Sequence, residues 1–246
     1  MRLSIPTDPV GDVDAGGLRY HDFVTGCTAE LSSPADRPAT WRRYTEGALK
    51  VYRHYGVESA LDYQAMRSGL STTMFLVVTD AGGAVVGGLR AQGPHPTVEE
   101  VDGFGPWRAT AGEDAMRSAI AERVPEGLVE IKAVWSDRTA HQRAEIGALL
   151  SRGVVHIAWR LRARHAFVTT AVRGVERYES SGGRRWADVP GVVYPDERYF
   201  TVPMSWDLTD ELAPTPRQRA LIAVERRQLV ASENGLVADS DGVVRA

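Results

Sequence analysis

Three histidines, His141, His156 and His165, fall within one stretch of the chain, and imidazole is the commonest general base near neutral pH. No nucleophile accompanies them: there is no GxSxG elbow, and the single cysteine, Cys27, sits among residues that read as loop. His156 falls on the apolar side of an expected helix and reads as a core histidine, so a hydrolase triad is not supported. With no CxxC or HxxxH pair, neither a metal site nor an intrachain disulfide is expected. The segment with most chemical promise is VEIKAVWSDRTAHQRAEIGALL, an apolar strand that passes through a short polar loop into a helix. An open helix N-terminus offers unpaired N–H groups to an anion. Gln142 and Arg143 lie at that N-terminus, Gly147 further along the helix and Arg138 in the loop before it. The passage lacks both GxGxxG and GxxxxGK[ST], which excludes the doubly wound nucleotide folds. Ahead of it on the strand, Glu130 shares a face with Leu128.

The elements that must position these residues follow from pattern. Leu18–Val24 reads as a strand, followed by a Ser/Pro/Asp loop through Pro38. Thr40 is a candidate N-cap for a helix that stops at Gly56. Thr73–Thr79 and Ala84–Ala91 flank Asp80-Ala81-Gly82-Gly83 as a hairpin. A Gly/Pro loop from Gly93 to Trp107 leads to a short helix at Glu113–Glu122, then a strand at Gly127–Trp135. A helix from Ala140 to Arg162 follows, with Gly153 as a point of bending or interruption. Ala166–Ala171 is a strand, Gly174–Ser181 a short helix, Arg198–Met204 a late strand and Arg217–Ala231 an amphipathic helix. A hairpin feeding a strand–helix–strand crossover predicts a mixed α/β fold, with helices on both faces of one sheet. Residues 1–17 read as a flexible arm, 18–208 as the domain, and 209–246 as a C-terminal helix with a disordered tail beyond Gly235.

Composition sets the outer bounds. The 246 residues are 43% hydrophobic and 25% charged, with a net charge of −3, which suits one globular domain and gives no nucleic-acid footprint. The longest apolar runs, Met74–Val78 and Gly153–Trp159, are far shorter than the ~20 residues of a membrane span. The N-terminus lacks the apolar stretch of a signal peptide, so the expected location is cytoplasmic.

Gln142-Arg143-Ala144-Glu145-Ile146-Gly147, followed by Leu149-Leu150, resembles the [QR]-x-x-G-x-[GA] motif of the GNAT N-acyltransferase superfamily. The hairpin FLVVTDAGGAVVGGLR resembles that family's second and third strands, and the segment around Tyr178 its tyrosine-bearing helix. The long loop after GGLR, the VEI strand and the closing YFTVPMSWDL resemble N-acyl amino acid synthases and acyl-homoserine-lactone synthases. Arg90 resembles the arginine after the third-strand glycine of the lactone synthases. Three positions depart from the patterns: Glu145 replaces a glycine, Gly183 a phenylalanine, and Ala133 the arginine of the lactone-synthase E-x-S-R motif.

The resemblance implies a GNAT-like central sheet, mostly antiparallel and twisted, and transfer of an acyl group from a pantetheine thioester to a small amine such as an amino acid. The donor would be acyl-CoA or an acyl carrier protein; a carboxylate at Glu145 suits the single phosphodiester of the carrier better than a diphosphate. Glu130 would assist deprotonation of the amine, or be an ion-paired carboxylate; Tyr178 would protonate the leaving thiolate, or be a helix tyrosine with a bonded hydroxyl. The backbone of Ala133, Val134 and Trp135 would pair with the pantetheine arm, with Trp135 either walling the channel or serving as core. Arg138, Gln142, Arg143 and Gly147 would contact phosphate, and Arg90 the acceptor. Arg152, Arg160, Arg162 and Arg164 would meet an acidic carrier protein, or form a solvated helix face. A homodimer through the C-terminal helix, an inactive GNAT-fold binding protein and an acetyl-CoA-dependent acetyltransferase stay open as alternatives.

Overall fold

The computed structural model describes residues 17–209 and 212–242, with side chains through Gly235. The arm expected over residues 1–17 lies outside the described residues except for Gly17, as do the last four of the tail. Strands β1 (Leu18–Asp22), β2 (Cys27–Ser32), β3 (Met74–Thr79), β4 (Val85–Gln92), β5 (Leu128–Ser136), β6 (His165–Ala171), β7 (Arg184–Arg185), β8 (Val192–Val193) and β9 (Phe200–Asp207) form one nine-stranded sheet. Its order is β1-β2-β3-β4-β5-β6-β9-β7, with β8 also pairing to β9. Every pair is antiparallel except β5 with β6. That one parallel pair needs a crossover, which α4 (Arg143–Arg160) supplies.

Helices cover both faces, as the sequence predicts. On one face α4, α5 (Val175–Ser180) and α6 (Pro216–Gly242) press Ile146, Leu149, Val154, Tyr178, Ile222 and Leu229 onto Leu76, Leu89, Ile131 and Val168 of the sheet. On the other, α1 (Pro38–His54) and α2 (Tyr63–Arg67) bury Trp41, Tyr44, Ala48 and Met66 against Phe75, Val77 and Trp135. Beside them α3 (Glu113–Ala121) and a 3-10 turn at Asp102–Trp107 bring Met116, Ile120, Phe104 and Trp107 onto Leu128 and Phe167.

Several expectations need correction. Cys27 is a buried strand residue, because β2 occupies part of the predicted loop. CTAELS hides its strand character by burying polar groups: Glu30 is only 7% exposed, its carboxylate held by Arg37 at 2.7 Å. The first helix starts at Pro38, whose fixed φ suits a first helical position, not after Thr40; Gly56 ends it with φ +66°, as predicted. Gly153 does not break α4. A Cβ there would stand 2.8 Å from Leu76 Cδ1, so the glycine permits close helix–sheet contact. The last helix runs on to Gly242, past the predicted end at Ala231.

Candidate active site

Strands β5 and β6 are neighbours only over Leu128–Glu130 and His165–Phe167. Beyond Glu130 they diverge, and residues Ile131–Ser136 and Val168–Ala171 line the two sides of a cavity of about 650 Å³. Backbone groups on these facing edges have lost their ladder partners and are free to bond a guest.

A β-bulge sits on one of these edges. Gly88 pairs with Trp135 and Arg90 with Lys132, so Ala133 and Val134 together oppose Leu89 alone. Ala133 takes the extra residue in the left-handed region at φ +48°, which costs a residue with a Cβ about 1–2 kcal/mol. Strain of this kind persists where the surroundings hold it, and it concentrates at working sites. The carbonyl of Ala133 accepts a hydrogen bond from the hydroxyl of Tyr44 at 2.8 Å.

Glu130 lies at the apex, 2% exposed, accepting a hydrogen bond from the Asp102 N–H at 3.0 Å. Burial pushes its carboxyl above the ordinary glutamate range, against the pull of Lys132. Lys132, two residues along the same strand face, is 3.6 Å from Glu130 and 2.8 Å from Asp102. Burial raises Asp102, but the hydrogen bond and charge of Lys132, with the hydrogen bond of Gln92, outweigh it and leave this carboxyl below its usual range. Arg90 is set back from the cavity, 3% exposed and bonded to Thr72 at 3.1 Å. Gln92, its amide oriented to satisfy both neighbours, joins Arg90 (3.2 Å) to Asp102 (3.1 Å).

Tyr178 lines the opposite side, 2% exposed, its ring edge-on to Trp206 at 5.4 Å. Burial raises its phenol, while the Arg177 guanidinium 5.0 Å from the ring centre pulls the other way. Tyr52 and Tyr194 also line the cavity, their phenols raised by burial and further by Tyr178 and Glu130 respectively.

Near the helix N-terminus the lining turns basic. Arg143, Arg173 and Arg177 all reach the cavity wall, and none pairs with a carboxylate among the described residues. Arg143 is bonded to the Tyr55 hydroxyl at 2.9 Å and Arg173 lies over the Tyr199 ring at 4.5 Å. Glu145 does not enter this region; its carboxylate turns to Arg217 of α6 at 3.3 Å.

Of the residues singled out in the sequence, Glu130, Ala133, Val134, Trp135, Arg143 and Tyr178 come together on this one cavity. Arg90, Arg138, Gln142 and Gly147 lie outside its lining: Arg138 contacts His54 at 3.2 Å, exposed Gln142 precedes the helix with φ +60°, and Gly147 backs onto Arg177. Trp135 is both wall and core, 4% exposed and packed on Tyr44 and Gly47. Three of the arginines expected to meet a carrier are engaged inside the molecule. Arg152 is buried between Asp22 and Glu225, both at 2.7 Å, Arg160 pairs with Glu233, and Arg164 with Asp207 and Glu126. His156 bonds Glu225 at 2.8 Å, a core histidine as read. Sequence reasoning missed Tyr52, Asp102, Arg173, Arg177 and Tyr194; only Lys132 had a signal, its period-2 spacing from Glu130.

Among the described residues no cluster of His, Cys, Asp and Glu is arranged to hold a metal ion, and no helix is long and apolar enough to cross a membrane.

The mixed, mostly antiparallel nine-stranded sheet with helices on both faces is a GNAT-like fold. The structure of FeeM, an N-acyl amino acid synthase from uncultured soil microbes, superimposes with a TM-score of 0.56 at 12% identity, over 75% of this chain and 92% of that one. The acyl-homoserine-lactone synthase LasI does so with a TM-score of 0.54 at 12% identity, over 76% and 93%. In sequence, the Mycobacterium tuberculosis protein called uncharacterized protein Rv1356c is 35% identical over 213 residues, 86% of this chain and 81% of its own length, and uncharacterized protein Mb1391c of Mycobacterium bovis matches equally. The chain belongs to the family of these mycobacterial proteins. No family model matches it.

Proposed function

We propose that the protein is an N-acyltransferase that moves an acyl group from a pantetheine thioester to a small primary amine. The observation that carries this reading is the divergence of β5 from β6 past Glu130, which leaves a strand-width slot bordered by unpaired backbone. A pantetheine arm, with its two amides in an extended chain, bonds such edges as an added strand. Its phosphate end would lie towards Arg143, Arg173, Arg177 and the open first turn of α4. With Glu145 drawn off to Arg217, a diphosphate meets no carboxylate there, so acyl-CoA is the donor favoured over a carrier protein. The engagement of Arg152, Arg160 and Arg164 elsewhere points the same way.

The chemistry follows from placement. The amine nitrogen attacks the thioester carbonyl and gives up a proton to Glu130, directly or through a water. A carboxyl raised by burial is a stronger base than an ordinary glutamate once ionised. The carbonyl oxygen takes the negative charge and is met by a backbone N–H of the bulge. As the tetrahedral centre collapses, the C–S bond breaks and the thiolate takes the proton of Tyr178, whose raised phenol stays protonated at neutral pH.

The decisive experiment is calorimetry of the protein with free CoA, acetyl-CoA and a long-chain acyl-CoA, followed by an amine screen that detects released thiol. Binding of CoA with amine-dependent thiol release is expected. CoA binding without turnover for any amine would favour a GNAT-fold binding protein instead, and no CoA binding would overturn the acyl-CoA reading.

A further inference from the structure

The bulge that the proposed reaction uses is held from behind by a residue that does not line the cavity. Tyr44 is fully buried on α1, stacked on Trp41 at 5.2 Å and edged by Phe75 and Trp135. Its hydroxyl, 2.8 Å from the Ala133 carbonyl, is fixed by the ring packing around it. The approach is built in on the other strand as well. A Cβ on Gly88, the partner of Trp135, would stand 2.6 Å from both the Tyr44 ring and the Leu76 carbonyl. Any side chain at that position would push Tyr44 off the bulge.

A peptide unit is planar and trans, so the carbonyl oxygen of Ala133 and the N–H of Val134 point in opposite directions. Holding the first against the Tyr44 hydroxyl fixes the direction of the second, and Val134 lines the cavity. Ala133 has no intrinsic preference for the left-handed conformation that this orientation requires, since its Cβ opposes it. The flanking ladder pairs and a hydrogen bond of fixed direction on its carbonyl hold it there.

We propose that Tyr44 is a positioning residue: it locks the Ala133–Val134 peptide so that the Val134 N–H is presented to the cavity as the donor for the thioester oxygen. This rests on the acyl-transfer reading above. Tyr44 touches neither donor nor acceptor, and acts only through the peptide it holds.

The test is Tyr44→Phe, which keeps the ring and deletes the hydroxyl. The expected result is unchanged affinity for CoA and unchanged KM, with kcat lower by about ten- to a hundredfold because the donor is misaimed. The backbone amide resonance of Val134 should shift strongly in the same variant without any ligand. An unmoved Val134 resonance, or a variant with wild-type kcat, would overturn the positioning role. Should the variant fail to fold, the wild-type protein carries the test: exchange of the Tyr44 hydroxyl into deuterium should shift the Ala133 carbonyl carbon, and no isotope shift would overturn it. A wild-type protein that binds no CoA would sink the acyl-transfer reading, whereas the Val134 resonance judges the peptide lock independently.

Discussion

Glu130 and Lys132, two residues apart on one face of a strand, hold their charged atoms 3.6 Å apart at the apex of the cavity. The lysine is also held by Asp102 at 2.8 Å, so it does not fully neutralise the buried glutamate, and burial keeps the Glu130 carboxyl raised. The active form of a base is the ionised one. Activity should therefore fall, as pH is lowered, around a midpoint above that of an ordinary glutamate. Stability moves in the opposite sense: a group raised in the folded state contributes most below its unfolded pKa and loses that contribution as pH climbs through the raised value. Glu130→Gln should lower kcat by about a hundredfold or more, remove the acidic limb from the rate profile, and gain stability relative to wild type at neutral pH. A rate profile that keeps its acidic limb in the variant would assign that limb to another group.

Tyr178 separates packing from the proposed acid chemistry, since its ring rests on Trp206 while its hydroxyl bonds the Arg177 guanidinium. Tyr178→Phe should melt within a few degrees of wild type and lose about ten- to a hundredfold in kcat. The loss should shrink with thioesters of more acidic thiols, which need no proton to depart. Equal losses for all thioesters would mean that Tyr178 does not act as the acid.

Arg143 and Arg173 meet the cavity without carboxylate partners among the described residues. Replacing both by Gln should raise the KM for acyl-CoA and flatten its dependence on salt. A truncated thioester with no phosphate, such as S-acetyl-N-acetylcysteamine, should be used equally well by both proteins. Equal damage with the truncated donor would place the arginines in some role other than phosphate contact.

Arg152, 1% exposed, bonds Asp22 of β1 together with Glu225 and Gln218 of α6, so one side chain ties the C-terminal helix to the first strand. Removing one member of a buried ion network leaves the others uncompensated, typically at about 3–5 kcal/mol. Arg152→Met should lose stability of that order in urea unfolding, with early loss of α6 protection in hydrogen exchange. A loss no larger than that of a surface pair, below about 1 kcal/mol, would show that the network is not what docks the helix.

Read alone, the sequence determined the elements whose pattern is local. The hairpin of β3 and β4, the strand β5, the helix α4 and the strand β6 follow from hydrophobic period and turn chemistry, and their order points to a mixed sheet with a crossover. Glu130 and Arg143 were legible from their places on β5 and at the start of α4, and Tyr178 from the resemblance of its helix to that of the GNAT superfamily. β2 was hidden because Glu30, a buried charge compensated by Arg37 seven residues on, looks like loop in one dimension. Tertiary structure alone decided where β5 leaves β6, because a strand's own residues do not say where its neighbour stops pairing. It also decided that Ala133 adopts a conformation alanine avoids, which takes a tyrosine 89 residues away to hold. The pairing of Glu145 with Arg217 of α6, and the gathering of Arg173, Tyr194 and Asp102 around Glu130 and Tyr178, are of the same kind. Such contacts join segments far apart in the chain, and their energies exist only once the sheet has brought those segments together.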